Sequence, residues 1–197
     1  LMSGHPHRRS ARSAHPARPA KHHEGRAARG LEAVEQLRVD GLAAGGAGVA
    51  KLSSGAVAFI TGSAPGELVE ASVNLAHRPA RGRVLRVIEP SADRVTPPCV
   101  FIASCGGCDW MHIAPSAQRE AHIAIVRSAL ERATHTTTLG SLPAVRSHEP
   151  TPPLEYRTRA RLFARAHRGA VNVGYRAAAS RDLAAIDACL VLDPSIA

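Results

Sequence analysis

The amino-acid sequence predicts a mainly β protein with some α, in which a five-stranded OB-like barrel is followed by a small α+β domain. Between residues 31 and 90, short apolar runs alternate with glycine-rich turns. In one of these runs, 68–75, apolar and polar side chains alternate with a period of two, as in a half-buried strand. Five short runs in so small a segment are typical of a closed barrel. Beyond residue 98, one long helical pattern and further β-like runs predict the second domain.

Turn-forming residues set the limits of the five barrel strands. Gly, Ser and Pro at 45–46, 53–55 and 64–66 supply the backbone conformations that tight turns need. The predicted strands are Glu35–Val39, Val49–Leu52, Ala56–Ile60, Glu67–His77 and Arg81–Ile88. The curved face of such a barrel often binds single-stranded nucleic acid, although a purely structural barrel would have the same pattern.

The second half of the chain is predicted to begin with a proline-rich linker. Residues 90–98 are expected to be extended, with a domain boundary near residue 90. A helix is predicted over Pro115–Ala133, with Ile123, Val126 and Leu130 on one side. The β elements expected after it are a short strand at Ala144–Ser147, a strand over Tyr156–Arg165, a turn at 167–169 and a returning strand at Val171–Tyr175.

Three segments follow from these patterns: a tail of residues 1–30, a barrel of residues 31–90 and a domain of residues 91–197. The tail combines Arg, Lys and His with Pro, Ala, Ser and Gly, so it cannot bury a core and is expected to be disordered. It would be either a solvated extension or a nonspecific nucleic-acid-binding arm. We expect the third segment to be incomplete at its C-terminus.

The charge of the chain predicts a polyanionic partner. Its 25 Lys and Arg against 16 Asp and Glu give a formal charge of +9, which favours RNA, DNA or an anionic membrane. Only 3% of the residues are aromatic, so binding of nucleic acid would rest mainly on Lys, Arg and backbone contacts. The sequence shows no signal peptide and no apolar run of membrane-spanning length, so we expect a cytoplasmic protein. We also expect it to be a monomer with RNA, and no membrane, as its partner.

Seven basic residues are the candidate nucleic-acid contacts. On the barrel they are Lys51, Arg81 and Arg83. In the run 156–165 arginines alternate with other residues, and on a strand they would share one face. These are Arg157, Arg159, Arg161 and Arg165. A basic face that is merely solvated is the alternative interpretation.

Four cysteines form the most informative pattern of the chain. Cys99, Cys105 and Cys108 lie close together around Gly106-Gly107, and Cys189 is remote in sequence. Four thiolates bind either a structural zinc ion or a [4Fe–4S] cluster, and the irregular loop with a distant fourth ligand favours the cluster, because zinc sites usually use two short Cys-x2-4-Cys hooks. Without side chains, both glycines can take positive φ and let the backbone and its N–H groups curl close around the cluster. Zinc and four unrelated buried thiols remain the alternatives.

Several motifs in a fixed order resemble the iron-sulfur, SAM-dependent RNA (uracil-5-)-methyltransferases, the RlmD/RumA-like group. Gly-Gly-Ala-Gly-Val-Ala-Lys at 45–51 is followed by Ile-Glu-Pro-Ser-Ala-Asp-Arg-Val at 88–95 and then by the cysteine loop. Later come Tyr-Arg-Thr-Arg-Ala-Arg at 156–161, Val-Gly-Tyr-Arg at 173–176 and Ile-Asp-Ala-Cys at 186–189. Thr158 and Leu190 depart from the group, which usually has Asn and Pro at these positions.

The resemblance implies that the barrel is a TRAM domain that binds rRNA or tRNA, and that Cys99, Cys105, Cys108 and Cys189 hold a [4Fe–4S] cluster. Members of the group methylate C5 of uracil with S-adenosylmethionine, using a catalytic cysteine and a Rossmann-like domain. Neither that domain nor the cofactor site is found in this sequence, and every cysteine is assigned to the cluster. We therefore expect the chain to be the N-terminal part of a class I methyltransferase, truncated before the catalytic domain and inactive alone.

Other functions are compatible with parts of this pattern. A standalone, noncatalytic RNA-binding iron-sulfur module would show the same barrel and cysteines. A small electron-transfer protein is disfavoured because it has no use for an RNA-type barrel and a stripe of arginines. A radical-SAM methylthiotransferase is disfavoured because its cluster loop has Cys-x3-Cys-x2-Cys spacing, which this chain lacks.

Overall fold

The computed structural model describes residues 32–134, 143–148, 153–167 and 169–196. The predicted basic tail, residues 1–30, lies outside the described residues. The described part contains a closed barrel, one long helix and a three-stranded sheet.

Five strands close the barrel. They are β1 (Glu32–Leu42), β2 (Gly48–Lys51), β3 (Val57–Thr61), β4 (Leu68–Asn74) and β5 (Ala80–Glu89). The strand order is β1-β2-β3-β5-β4, and all neighbours are antiparallel except β3 and β5. The predicted five-stranded OB-like barrel is confirmed. β4 ends at Asn74, three residues before the predicted His77, because the Asn74 side chain accepts a hydrogen bond from Ala76 N–H (2.9 Å) and turns the chain.

Alternating side chains fill the barrel. Ala50, Ala58 and Ala71 are fully buried beside larger residues such as Ile60 and Val69. Small residues at these positions let the narrow interior of a five-stranded barrel close at normal packing density. The residues between them point outward, which places the basic side chains of β2 and β5 on the outer surface.

The predicted linker after the barrel is anchored to it rather than freely extended. A turn at 91–94 is closed by a hydrogen bond from Arg94 N–H to Ser91 O (3.1 Å). Arg94 then pairs with the fully buried Glu67, which precedes β4. Ala114 N–H donates to Asp93 O (2.8 Å), so the segment that contains the cysteine loop returns to the same place. Both ends of that segment are therefore fixed against the barrel.

Helix α1 (Pro115–Thr134) follows the cysteine-bearing segment, which confirms the predicted helix. The side chain of Gln118 donates to Ile113 O (2.7 Å) and Trp110 O (3.0 Å) just before its first turn. The side predicted to be apolar is not the buried one, since Val126 is 45% and Leu130 39% exposed. Within the described residues, no helix has the length and hydrophobicity that crossing a membrane requires.

Three strands form the second sheet. They are β6 (Phe163–His167), β7 (Ala170–Arg176) and β8 (Leu183–Ala185), in antiparallel order β6-β7-β8. The hairpin and its turn at Gly169, which has φ +78°, agree with the prediction. The predicted strand at Ala144–Ser147 is wrong, because residues 143–148 have no regular structure. The strand predicted over Tyr156–Arg165 is also wrong in its first half and begins only at Phe163.

The arginines of 156–165 consequently do not share the face of one strand. The backbone of Arg157 is instead bonded to the segment after Cys189, through Arg157 N–H to Val191 O (2.8 Å) and Asp193 N–H to Arg157 O (3.0 Å). Arg159 and Arg161 precede the strand and are exposed, and Arg165 lies within it opposite Asn172. Pairing with a neighbouring segment thus overrides the alternating sequence pattern.

Candidate functional site

The cysteine loop is a series of tight turns that brings its three thiols to one side. Cys105 N–H and Ser104 N–H both donate to Phe101 O, at 2.7 Å and 3.0 Å, and Ile102 N–H donates to Cys99 O (3.3 Å). Cys105 also forms an isolated β-bridge with Ala177, just after β7. The loop is therefore held against the second sheet, which carries the chain on toward the fourth cysteine.

Gly106 and Gly107 are needed because other atoms of the protein approach them closely, and not because their backbone has a positive φ. Gly106 and Gly107 do not use the positive φ that glycine can take, since neither belongs to the positive-φ glycines. A Cβ on Gly106 would lie 2.9 Å from Arg176 O, where the Gly106 N–H donates its hydrogen bond (2.9 Å). A Cβ on Gly107 would lie 3.3 Å from the Sγ of Cys105. The absence of side chains thus lets the loop pack against β7 and around a sulfur atom.

Cys189 reaches the site from the segment that follows β8. Ile186 N–H donates to Val173 O (3.1 Å), and Leu192 N–H donates to Cys189 O (3.2 Å), so bonds fix the chain on both sides of this cysteine. All four cysteines, Cys99, Cys105, Cys108 and Cys189, line one cavity, and none is in a disulfide. Sequence reasoning expected this gathering, and the structure brings the four side chains together.

Apart from the thiols, the cavity wall is apolar. It consists of Phe101, Ile102, Met111, Ile186, Ala188 and Leu190. The cavity encloses about 320 Å³, part of it open to solvent. The lining therefore brings four sulfur donors together in otherwise apolar surroundings.

Burial disfavours ionisation of the thiols when nothing is bound to them. Desolvation raises the pKa of Cys105, against the hydrogen bond that Gly107 N–H donates to its Sγ (3.4 Å). Desolvation likewise raises the pKa of Cys108, and the positive charge of Arg157 acts in the opposite direction. A bound cation would reverse this balance, because thiolates rather than thiols ligate metals.

Arg157 belongs to this site in the structure. Its guanidinium is bonded to the side chains of Tyr175 and Tyr156 and acts electrostatically on Cys108. The Tyr175 hydroxyl lies 3.9 Å from the Sγ of Cys189. Arg157 and Tyr175 thus bring a positive charge and a hydroxyl group to two of the four sulfurs. The sequence pattern placed Arg157 with the nucleic-acid contacts, and the fold gives it different neighbours.

The thiols are not arranged as ligands of a single ion. Within the described residues, no group of three or more His, Cys, Asp or Glu side chains is placed to hold a metal ion. A tetrahedral zinc site with Zn–S bonds of about 2.3 Å needs its sulfurs nearly in contact with one another. In a [4Fe–4S] cube each thiolate binds a different iron atom, so the four sulfurs surround a wider space. The donor set of four cysteines is the one that a [4Fe–4S] cube uses.

The remaining candidate contacts are spread over two surfaces. Lys51, Arg81 and Arg83 are exposed on the outer face of the barrel, where Arg81 and Arg83 flank the inward-lying Gly82 of β5. Arg159, Arg161 and Arg165 are exposed near the second sheet. None of these six takes part in an ion pair among the described residues. Each is therefore available to a phosphate group.

Contacts made by the residues after Cys108 connect the cysteine-lined cavity to the barrel. Trp110 Nε1–H donates to Gly46 O (2.9 Å), and His112 Nε2 lies 3.1 Å from Ser63 O. A Cβ on Gly46, which has φ +89°, would lie 2.6 Å from the Cβ of Asp109. Gly46 thus allows the β1–β2 loop to contact the residues directly after Cys108.

The buried pair formed by Glu67 and Arg94 is the strongest of these links. Arg94 Nη2 donates to Glu67 Oε2 (2.9 Å) and to Gly62 O (2.8 Å), its Nε contacts Glu67 Oε1, and Ala64 N–H donates to Glu67 Oε2 (2.8 Å). Burial alone would raise the pKa of Glu67, but these hydrogen bonds and the charge of Arg94 outweigh it and lower the pKa below 4.5. Desolvation lowers the pKa of the neighbouring His112 below 6.5.

Sequence reasoning did not single out Glu67, Arg94, Trp110 or Tyr175. Arg94, Trp110 and Tyr175 lie inside or beside motifs of the resemblance, yet nothing in residue type or spacing indicates a buried ion pair or a hydroxyl beside a sulfur. The single tryptophan is the one signal that could have been used, since an indole in a short cysteine-rich segment has to pack against a neighbouring element.

Comparison with known proteins agrees with the motif-based resemblance. The chain is 40% identical over 164 residues to the 23S rRNA (uracil(1939)-C(5))-methyltransferase RlmD of Marinomonas sp., covering 83% of this chain and 36% of that protein. It is 38% identical over 169 residues to the RlmD of Halomonas elongata, covering 85% of this chain and 34% of that protein. An uncharacterized RNA methyltransferase of Thermosynechococcus vestitus is 32% identical over 162 residues, with 82% and 35% covered.

No protein-family profile matches the chain. The aligned part includes most of the chain but only about a third of each of these three relatives. Identities of this size over so long a stretch, together with the barrel and the ordered motifs, confirm the resemblance. Over this stretch the chain is homologous to the RlmD group of RNA methyltransferases.

Proposed function

We propose that this chain forms the RNA-binding and [4Fe–4S] portion of a SAM-dependent RNA uracil-C5 methyltransferase that forms 5-methyluridine in rRNA or tRNA. The observation that carries the proposal is the single cavity lined by all four cysteines in a chain homologous to RNA methyltransferases. The closed barrel, which exposes Lys51, Arg81 and Arg83 on its outer face, supplies the RNA-binding half of the proposal.

Several features favour a cluster in the cavity over zinc or four unrelated thiols. The cavity is otherwise apolar, and the four cysteines that line it are the number of ligands that a [4Fe–4S] cube takes. Gly107 N–H points to the Sγ of Cys105, as hydrogen-bond donors do at iron-sulfur sites. When bound, a [4Fe–4S] cluster would supply a rigid four-point connection between the loop 99–108 and the segment around Cys189. Arg157 would offset part of the negative charge of the four thiolates.

RNA would bind along the exposed cations of the barrel and the second sheet. Lys51, Arg81 and Arg83 would contact phosphates from the barrel, and Arg159, Arg161 and Arg165 from the second sheet. The links through Glu67, Trp110 and His112 hold the barrel and the cysteine-bearing segment together. An RNA that contacts both surfaces would therefore be positioned by one rigid arrangement of cations.

S-adenosylmethionine enters this proposal through the relatives alone. The four cysteines of the sequence all line the cavity, so none of them is left to attack C6 of a uracil. The residues of this chain would bind and orient RNA, while the methyl transfer itself would need groups beyond those described. We place the protein in the cytoplasm, acting as a monomer on rRNA or tRNA.

Salt-dependent RNA binding tests the proposal. The affinity of the full 197-residue chain for single-stranded RNA is measured by fluorescence anisotropy at several salt concentrations. Each phosphate contact to a single strand contributes roughly 0.7 to the slope of log K against log salt, so Arg83→Ala should lower the slope by about 0.7. Arg38→Ala, which removes an arginine already paired with Glu89, is the control and should leave the slope unchanged. Binding that does not depend on salt would contradict the proposal.

A further inference from the structure

An aromatic ring lies on the outer face of the barrel. In β3, Ala58 and Ile60 are fully buried in the core, so Phe59 between them points outward. Its side chain is only partly buried. None of the functions assigned above uses it.

Cations surround this ring. Strand register places Val49 of β2 on one side of Phe59 and Arg81 of β5 on the other. Lys51 and Arg83 lie two residues further along the same two strands and on the same face, which makes them diagonal neighbours at roughly 7–8 Å. Glu70, an acidic residue of the adjacent strand β4, is paired with Arg86. The surroundings of the ring are therefore complementary to an anionic ligand.

The arginine above the ring does not touch it. The guanidinium carbon of Arg81 lies over Phe59 at 6.0 Å from the ring centroid, whereas that of Arg176 lies 4.1 Å from the centroid of Phe163. Carbon atoms in contact are about 3.5–4.0 Å apart, so the second pair is stacked and the first leaves a gap. A flat group between ring and guanidinium needs two such contacts, roughly 7 Å in all. A shift of about 1 Å in the exposed Arg81 side chain would open that space.

We propose that an unpaired nucleobase of single-stranded RNA stacks on Phe59, with the Arg81 guanidinium over its other face and Lys51 and Arg83 at the adjoining phosphates. The inference rests on the proposed function and adds a base-binding subsite to it. Stacking on a phenyl ring accepts every base, because each base has a π-face. The subsite would hold a nucleotide in place without reading its identity. It would therefore position the RNA on the barrel.

An RNA-binding assay with matched ligands tests the subsite. The full chain is titrated into a labelled single-stranded RNA about 12 nucleotides long, within the range that one OB-type barrel covers, and into its abasic counterpart. Phe59→Ala should weaken binding of the normal RNA about tenfold, equivalent to about 1.4 kcal/mol. The salt slope should not change, since no charge is removed. On the abasic RNA, Phe59→Ala and the unsubstituted chain should bind equally.

Two further variants keep the test independent of folding. Phe59→Trp retains an aromatic face and should bind the normal RNA at least as well as the unsubstituted chain. Val34→Ala removes a 63% exposed apolar side chain from β1, away from the ring, and should have no effect. Unfolding curves recorded on every variant identify any loss of binding that comes from loss of structure.

The possible results separate this subsite from the proposed function. If the unsubstituted chain binds RNA with a salt slope but Phe59→Ala behaves like Val34→Ala, the subsite is refuted and the RNA-binding function stands. Tight binding of an acidic polypeptide that Phe59→Ala abolishes, without an effect on RNA, would refute it in favour of a protein ligand. If the chain shows no salt-dependent RNA affinity, the proposed function fails and the subsite fails with it.

Discussion

Replacing Glu67 with glutamine should destabilise the protein by about 3 kcal/mol. The Glu67 side chain is fully buried and holds Arg94, whose side chain is 24% exposed, so the substitution leaves a guanidinium with an uncharged partner in a largely dry place. Removing one member of a buried ion pair costs about 3–5 kcal/mol. The residual exposure of Arg94 places the expected loss at the lower end of this range. Such a loss is a large share of the 5–15 kcal/mol that stabilises a typical domain.

Urea unfolding followed by tryptophan fluorescence measures the effect. Trp110 is the only tryptophan, and its indole N–H donates to Gly46 O of the barrel, so its emission reports directly on the contact between the two parts. Glu89→Gln is the matched control, because Glu89 pairs with Arg38 at 2.6 Å while both side chains remain more than half exposed. An exposed pair contributes less than about 1 kcal/mol. A loss below 1 kcal/mol for Glu67→Gln, equal to that of the control, would refute the reasoning.

The same pair should make the protein sensitive to acid. The pKa of Glu67 is lower in the folded state than its ordinary value of 4.5, so its contribution is fully present above pH 4.5 and is lost as the pH falls through the folded pKa. His112, whose pKa is lowered below 6.5, adds a loss that begins below pH 6.5 because the unfolded chain binds the proton more readily. Stability measured against pH should therefore fall less steeply below pH 4.5 in Glu67→Gln than in the unsubstituted chain. Parallel curves would contradict the assignment.

Three further predictions concern the metal site and the reaction. Cys189→Ser should remove the visible absorption of the anaerobically purified protein, and an unchanged spectrum would exclude this cysteine as a ligand. Arg157→Ala should leave the salt slope of RNA binding unchanged, and the visible absorption of this variant should bleach faster in air. A salt slope lowered by about 0.7 would instead show that Arg157 contacts an RNA phosphate. The purified chain should transfer no methyl group from labelled S-adenosylmethionine to RNA, because all four cysteines line the cavity, and measurable 5-methyluridine would contradict this.

The sequence was sufficient to predict the barrel and the grouping of the cysteines. Short apolar runs, alternation with period two and turn residues between the runs are local signals, and the barrel follows from them. The four cysteines could be grouped because so few residue types bind soft metals. Which metal they hold stays a prediction.

The features that the sequence did not predict depend on contacts between residues that are far apart along the chain. Arg157 alternates with other arginines as if on a strand, but its backbone is bonded to residues 191 and 193, far along the chain. The glycines of the cysteine loop were expected to provide a backbone turn, and they are needed because Arg176 O and a sulfur atom approach them. Glu67 and Arg94 form a buried pair only because the segment after β5 returns to the start of β4. None of these contacts leaves a periodic signal in the sequence.

Iron, acid-labile sulfide and zinc content of the anaerobically purified chain test the central claim most directly. If Cys99, Cys105, Cys108 and Cys189 hold a [4Fe–4S] cluster, the protein should contain about four iron atoms and four sulfides per chain. Replacement of any one of the four cysteines by serine should lower both values together. One zinc ion per chain without sulfide, or neither metal in a folded protein that binds RNA, would contradict the account.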